Sequence, residues 1–358
     1  MNVLSLFDGI SCARVALDRA GIEVNCYLSA EIDKNAIKIS EKNYPDIIRV
    51  GSVVDLSVEG EIDLLIGGSP CQDLSIAKKD RKGLGGDRSG LFWEYVRIKK
   101  ECNPKWFVLE NVASMPKADK DIITKEMGVE PVMFNASLVS AQCRKRLFWT
   151  NIPFDLPVDR GILLKDILQP DGEVDERMVV KGKSYTLTAT YSHANTTEAG
   201  IKNSVERKQR TLVKFNKTAQ TGPALILSKH QQINLRETDQ KAHTLCSTMH
   251  KGSHANGTTL IKVGHIGNND AQANRVYDTD GKSCTLSALG GGLGAKTGLY
   301  ETKDRIRKLT PIECERLQGL PDNYTEGVAT TNRYKCLGNA FNVDVVACIL
   351  ANLKNEML

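Results

Sequence analysis

Ile62-Asp63-Leu64-Leu65-Ile66-Gly67-Gly68-Ser69-Pro70-Cys71-Gln72-Asp73-Leu74-Ser75 is the stretch on which the fold turns. Its first five residues form an apolar run that reads as a buried strand. Gly67, Gly68 and Pro70 then make a turn that carries Cys71. Open α/β sheets bind ligands and do their chemistry just beyond the carboxyl ends of their strands, so Cys71 stands where a nucleophile is expected. A second apolar run, Trp106-Phe107-Val108-Leu109, ends in Glu110-Asn111-Val112. A strand-end thiol near a strand-end carboxylic acid is the pair needed to attack and protonate an unsaturated ring.

Outward from this stretch, the first 155 residues alternate short apolar runs with amphipathic ones. Strands are predicted at Val3–Phe7, Cys26–Ala30, Ile47–Val50, Ile62–Ile66, Trp106–Leu109, Val132–Ala136 and Leu147–Thr150. Helices are predicted from Cys12 to Ala20, stopped by Gly21, and from Asp33 to about Asn43. This alternation implies an α/β domain with a mainly parallel sheet covered by helices on both faces.

The turn Phe7-Asp8-Gly9-Ile10-Ser11 between the first strand and helix allows close approach of backbone N–H groups to a ligand. Glu31 ends the second strand about twenty residues later, where a carboxylate accepts both ribose hydroxyls of a nucleoside. Asp55, after the third strand, is placed to accept from an adenine amino group. With neither G-x-G-x-x-G nor a P-loop present, S-adenosylmethionine is favoured over nicotinamide and nucleoside triphosphates.

Beyond about Pro157 the texture changes. From roughly 170 to 300 the chain is rich in Thr, Ser, Asn, Gly and Lys, and the six histidines lie between His193 and His265. A unit repeats here: Lys183-Ser-Tyr-Thr-Leu-Thr-Ala-Thr190, Lys241-Ala-His-Thr-Leu-Cys-Ser-Thr248 and Lys282-Ser-Cys-Thr-Leu-Ser-Ala-Leu289. The recurring Thr-Leu core implies a recurring buried side chain, hence a second, β-rich domain of tandem hairpin-like units. Helical patterning resumes at Thr310-Pro311, an N-cap followed by proline. The apolar tail from Phe341 to Leu353 is expected to pack back onto the first domain. The predicted division is 1–160, 161–325 and 326–358.

The 358 residues are 41% hydrophobic and 25% charged, with net charge +5, which permits a polyanionic partner. No apolar run is long enough for a membrane span, and the start MNVLSLFDGI lacks a basic n-region, so neither anchor nor signal peptide is expected. Ten cysteines without a C-x-x-C pair argue for reduced thiols in a cytoplasmic protein rather than a metal site. His250 and His254 lack an accompanying cysteine or carboxylate cluster and are read as surface, phosphate or base contacts.

Taken in order, LFDGIS, SAEID, GGSPCQDLS, DRSGLFWEYVRI (87–98), ENV, Gln142-Cys143-Arg144-Lys145-Arg146, RLQGLPDNY (316–324) and LGNAFNVDVV (337–346) resemble the motifs of the DNA cytosine-5 methyltransferases over nearly the whole chain. Ser11 stands where many members have glycine, Ser69 where bacterial members have proline, and Ala340 where serine is commoner. The resemblance implies a Rossmann-like class I S-adenosylmethionine-dependent methyltransferase fold with a smaller β-rich target-recognition domain. Cys71 is the implied nucleophile and Glu110 the group that holds or protonates ring N3, while Asn111 fixes the turn. Arg146 is expected on the flipped base and Arg144 on Glu110 or a phosphate. Phe7, Gly9, Glu31, Ile32, Asp55, Pro70 and Asn339 are the implied cofactor contacts. Gln72, Ser75, Lys82, Gln272, Arg275, Thr285, Gly291 and Gly292 are the implied contacts to double-stranded DNA, with Gln272 entering the gap left by the base.

A target atom inside a stacked duplex must be flipped out, and the basic, glycine-rich segment from Ile76 to Gly86 has the composition of a lid. The resulting expectation is a monomeric enzyme methylating cytosine C5 in a specific DNA sequence. The triplicated unit suggests more than one such sequence, or a long one; a partner endonuclease is not inferable. Two readings remain beside it: a tRNA cytosine methyltransferase, and a DNA-binding regulator with a silent site.

Overall fold

The structure is a computed structural model that describes residues 1–70, 84, 89–170, 254–255, 258–259, 262–265, 274–288, 294, 296–302 and 305–356. The first two repeat copies and most of the expected lid lie outside the described residues. So do Cys71, Gln72, Ser75, Lys82, Gln272, Gly291 and Gly292.

The elements alternate as the apolar runs require: β1 (Asn2–Leu6), α1 (Cys12–Ala20), β2 (Cys26–Ala30), α2 (Lys34–Asn43), β3 (Ile48–Gly51), β4 (Leu64–Gly67), α3 (Phe92–Cys102), β5 (Trp106–Val112), α4 (Lys117–Met127), β6 (Val132–Asn135) and β7 (Lys145–Thr150). They form one sheet in the order β3-β2-β1-β4-β5-β7-β6. β1 through β5 are parallel, whereas β7 runs antiparallel to both β5 and β6. The strand order reverses between β1 and β4, which is where a sheet of this kind opens a crevice for a ligand.

Strand alternation divides the core. Val3 faces one way, into a cluster with Ala16 and Leu17 of α1 and Ile39 of α2. Leu4 and Leu6 face the other way, packing with Leu65, Phe92, Tyr95 and Ile98. α1 ends where Gly21 adopts φ +69, and its N–H caps the Asp18 and Leu17 carbonyls. At α2 the Asp33 carboxylate accepts from the Asn35 and Ala36 amides, an ordinary N-cap.

The β-rich part contains a four-stranded sheet, β10 (Lys262–His265), β11 (Arg275–Asp278), β12 (Leu299–Thr302) and β13 (Arg305–Arg307), together with the short pair β8 (His254–Ala255) and β9 (Thr258–Thr259). The Tyr277 and Tyr300 rings pack across β11 and β12 with centroids 5.9 Å apart.

Four helices follow: α5 (Pro311–Leu317), α6 (Thr330–Asn339), α7 (Val343–Leu350) and α8 (Leu353–Glu356). Thr310 and Glu313 form a capping box at the start of α5. α7 packs on α1, with Val346, Ile349 and Leu350 in the same cluster as Ala16 and Leu17. Leu309, Cys314, Leu317 and Leu320 belong to that cluster too, as do Tyr277, Leu286 and Tyr300 of the β-rich part.

The third repeat copy is zipped onto the first domain. Ser283 N–H donates to the Ala141 carbonyl and Cys143 N–H to the Ser283 carbonyl, at 2.8 and 2.9 Å. Lys282 Nζ, buried, donates to the Ser137 carbonyl at 2.7 Å and lies 3.2 Å from Asp159. Leu286 is buried in the main core.

Candidate active site

β1, β2 and β4 end side by side, and the turns that follow them carry the cofactor candidates. Phe7, Gly9 and Ser11 all adopt left-handed φ, at 56°, 60° and 60°. Two of the three are not glycine, a conformation that marks strained turns at functional sites. A Cβ built on Gly9 would meet nothing within 4 Å, so this face of the turn is open. Glu31 Oε2 accepts from Gly9 N–H at 2.8 Å, and Oε1 accepts from the Ile32 and Asp33 amides at 2.8 and 2.7 Å. Ile32 is 72% exposed although apolar. Asp55 is exposed as well, with φ 58°. An open glycine turn, a fixed carboxylate, an uncovered aliphatic side chain and an exposed second carboxylate are groups suited to accept from ribose hydroxyls and an adenine amine and to pack on the ring.

Two contacts from the carboxyl-terminal segment hold this edge, one from the turn before α6 and one from α6 itself. Tyr324 Oη donates to the Ile10 carbonyl at 2.8 Å, and Lys335 Nζ pairs with Asp33 at 2.6 Å. Asn339 closes α6 and is exposed.

Glu110 lies within β5 rather than beyond its end. The apolar run stops at Leu109, but the ladder with β7 continues through Glu110↔Phe148 to Val112↔Arg146. Arg146 Nε lies 2.6 Å from Glu110 Oε1, with both side chains largely buried. The carboxylate is therefore held by Arg146, which the sequence suggested for the flipped base, with Arg144 on Glu110 or a phosphate. Arg144 is buried and donates to the Leu286, Gly338 and Ala340 carbonyls at 3.4, 3.2 and 3.0 Å. It joins the third repeat copy to the residues flanking Asn339.

The turn that leads to Cys71 is fixed from below. Asn111, buried, donates through Nδ2 to Ser69 Oγ at 3.1 Å and to the Ser69 carbonyl at 3.3 Å. Gly68 leaves no room for a side chain: a Cβ there would lie 2.9 Å from the Phe341 ring and 3.0 Å from Glu110 Oε2. Next to this junction is a small recess lined by Glu110, Arg144, Arg146, Phe148, Phe341 and Asn342.

The family model for C-5 cytosine-specific DNA methylases matches residues 1–355. The chain belongs to the C-5 cytosine-specific DNA methylases. It is similar to the type II methyltransferase M.HhaI of Haemophilus parahaemolyticus, 27% identical over 378 residues that cover 100% of this chain and 95% of that protein. It is similar also to the orphan methyltransferase M.SPRI of Bacillus phage SPR, 27% identical over 429 residues, covering 99% and 97%. Among solved structures, the Entamoeba histolytica methyltransferase EhMeth shares the fold at TM-score 0.60 and 13% identity, covering 100% of this chain and 99% of that one. A putative DNA modification methyltransferase encoded within an Escherichia coli prophage does so at TM-score 0.59 and 21% identity, covering 100% and 99%.

As a C-5 cytosine-specific DNA methylase this chain is an S-adenosylmethionine-dependent methyltransferase, with the Rossmann-like core and added β-rich part expected of it. No helix among the described residues is long and apolar enough to cross a membrane. Of the implied site residues, the structure gathers Phe7, Gly9, Glu31, Ile32 and Asp55 at the ends of β1, β2 and β3, and Glu110 with Arg146 at β5 and β7. Thr285, which the resemblance assigns to DNA, donates its hydroxyl to the Cys143 carbonyl at 2.5 Å, at the seam where the third repeat copy meets the residues before β7. Arg275 lies in β11. Sequence reading missed Phe341, whose apolar position in the tail suggested only core packing. It also missed Asp8, hidden inside a cofactor-turn motif.

Proposed function

We propose that this enzyme methylates C5 of cytosine within a specific double-stranded DNA sequence, by covalent addition of Cys71 to C6 of a flipped base. The observation that carries this reading is the Glu110–Arg146 pair set against Gly68, with Asn111 of the same strand bonded to Ser69, two residues before Cys71.

S-adenosylmethionine, held at Phe7, Gly9, Glu31, Ile32 and Asp55, supplies an electrophilic methyl group on a sulfonium sulfur. Cytosine C5 is not nucleophilic enough alone. The Cys71 thiolate forms a bond to C6, and the electron pair of the C5–C6 double bond moves to C5, which becomes an enamine carbon. Glu110 stabilises that change by hydrogen bonding at N3 and selects cytosine by accepting from the exocyclic amine. Arg146 fixes the orientation of the carboxyl group from one side. C5 then takes up that methyl group as the bond from methyl to sulfonium sulfur breaks, with its electron pair left on sulfur. Loss of the C5 proton re-forms the C5–C6 double bond, breaks the C6–sulfur bond and returns the Cys71 thiolate.

Target recognition is assigned to 161–325, with Gln272, Arg275, Gly291 and Gly292 as DNA contacts and Gln72, Ser75 and Lys82 following the nucleophile. The enzyme is taken to act as a cytoplasmic monomer. The test is transfer of labelled methyl from S-adenosylmethionine to unmethylated plasmid DNA and, separately, to tRNA. Label in DNA at a repeated sequence context supports the proposal; label in tRNA alone overturns it.

A further inference from the structure

Beneath the cofactor turn lies a buried carboxylate that the chemistry above does not use. Asp8 is 6% exposed and accepts four hydroxyl hydrogen bonds. Oδ1 takes Ser5 Oγ at 2.6 Å and Tyr27 Oη at 2.7 Å; Oδ2 takes Ser11 Oγ at 2.5 Å and Ser29 Oγ at 2.8 Å. Two donors on each oxygen fill the acceptor capacity of a carboxylate. Three of the donors, Ser5, Tyr27 and Ser29, stand on β1 and β2, inside the sheet. The fourth, Ser11, belongs to the turn and has φ 60°. Burial and the Asp8 charge together push the Tyr27 phenol well above its ordinary range, so it stays a donor at any working pH. Asp8 N–H donates in turn to the Ala30 carbonyl, one residue before Glu31, at 3.2 Å.

We propose that Asp8 is a positioning residue for the cofactor: it ties Ser11, and with it the left-handed turn from Phe7 to Ser11, to the rigid ends of β1 and β2. The turn is thereby held in the shape in which Gly9 N–H meets Glu31. A left-handed serine is conformationally costly, and the bond to Asp8 offsets that cost. Ser11 also contacts Ser40 Oγ of α2, which links the turn to a second element. The proposal rests on the S-adenosylmethionine reading of this site, since a turn need be held only for a ligand that uses it.

The experiment is calorimetric titration of S-adenosylmethionine into the full chain, paired with melting temperatures of the ligand-free protein. The variants are Asp8→Asn, Ser11→Gly and Ser29→Ala. Glycine accepts the φ of Ser11 without strain, so Ser11→Gly removes the bond while sparing the fold. Asp8→Asn and Ser11→Gly are expected to weaken cofactor binding about tenfold or more. Ser29→Ala, which removes one of three anchors inside the sheet and leaves the Ser11 bond in place, is expected to lower the melting temperature and to weaken cofactor binding less than Ser11→Gly does. Ser11→Gly and Asp8→Asn that bind as the wild type does would overturn the proposal, whatever their melting temperatures. A wild type that binds no S-adenosylmethionine would overturn the cofactor reading beneath it.

Discussion

Arg146 lies diagonally across the β5–β7 ladder from Glu110, opposite Val112, and its Nε reaches Glu110 Oε1 at 2.6 Å. Diagonal neighbours on one face of an antiparallel pair come within reach of long side chains. The pair is therefore a product of register, and it aims the acid with strand precision rather than loop precision.

Arg146→Ala is expected to lower kcat by about a hundredfold to ten-thousandfold, the range of a misplaced general acid or base. Glu110→Gln should cost a similar amount. Because the two act as a unit, the double variant should be little worse than either single one. Steady-state methyl transfer by all three variants checks this, and additive losses would separate the roles.

Gly68→Ala tests the contact between the turn and the acid. The new methyl would lie 3.0 Å from Glu110 Oε2 and 2.9 Å from the Phe341 ring, so one of them must move. Activity should fall at least tenfold, with a destabilisation of about 1–3 kcal/mol from overpacking. Asn111→Ala is the complement, freeing Ser69 from below. Its buried bonds are worth about 1 kcal/mol each, and turnover should fall while cofactor binding holds.

The seam gives a third prediction. Arg144→Met removes the donor to three buried or half-buried carbonyls, those of Leu286, Gly338 and Ala340. A loss of about 2–5 kcal/mol is expected by denaturant unfolding. Gly338→Ala should be as damaging by another route, because its Cβ would lie 2.4 Å from the Ala288 backbone nitrogen, which cannot yield as a flexible side chain would.

How much of this was legible in the sequence depends on how local each cause is. α1 and β2 end where Gly21 and the apolar runs place them, and the Thr310–Glu313 capping box is set by neighbouring residues. The direction of β7 is not local, since the same alternation serves a parallel or an antiparallel neighbour. Arg144 and Arg146 share a parity, so periodicity could not tell them apart. Only the start of β7 at Lys145 shows that Arg146 is in the ladder and Arg144 before it. The resemblance assigned Thr285 of the third repeat copy to DNA, yet its hydroxyl, like the ammonium of Lys282, bonds to a main-chain carbonyl of the catalytic part. Which acceptors a polar side chain finds is decided by tertiary approach.

Acid stability gives a fourth prediction. Burial works to raise the Asp33 carboxyl, but the bonds from Lys335 and from the Asn35 and Ala36 amides outweigh it, leaving it below the ordinary 3.8. A carboxyl depressed in the folded state adds stability above its unfolded value, and that contribution is lost as pH falls through the folded one. Lys335→Gln should therefore melt lower than wild type near neutrality, the gap closing between about pH 5 and pH 2. Melting temperature against pH for both proteins measures it.

Thiol reactivity gives a fifth. Burial first, and then the Asp33 carboxylate, push the Cys336 thiol up to about 12. Burial, reinforced by Asp8, pushes Cys12 up, and burial does the same for Cys284 and Cys314. Only a thiolate is alkylated quickly. Iodoacetamide at about pH 8 should leave these four unmodified in the folded enzyme by peptide mass spectrometry. Labelling of Cys336 at the rate of an exposed thiol would show that its surroundings differ.

The most direct test of the central claim is capture of the covalent step, with a DNA duplex carrying 5-fluorocytosine at the target position and S-adenosylmethionine present. Fluorine at C5 cannot leave as a proton does, so the Cys71–C6 bond is retained. A protein–DNA complex that survives denaturation is expected with wild type and not with Cys71→Ala. A complex that forms equally with Cys71→Ala, or methyl transfer that persists without Cys71, would contradict it.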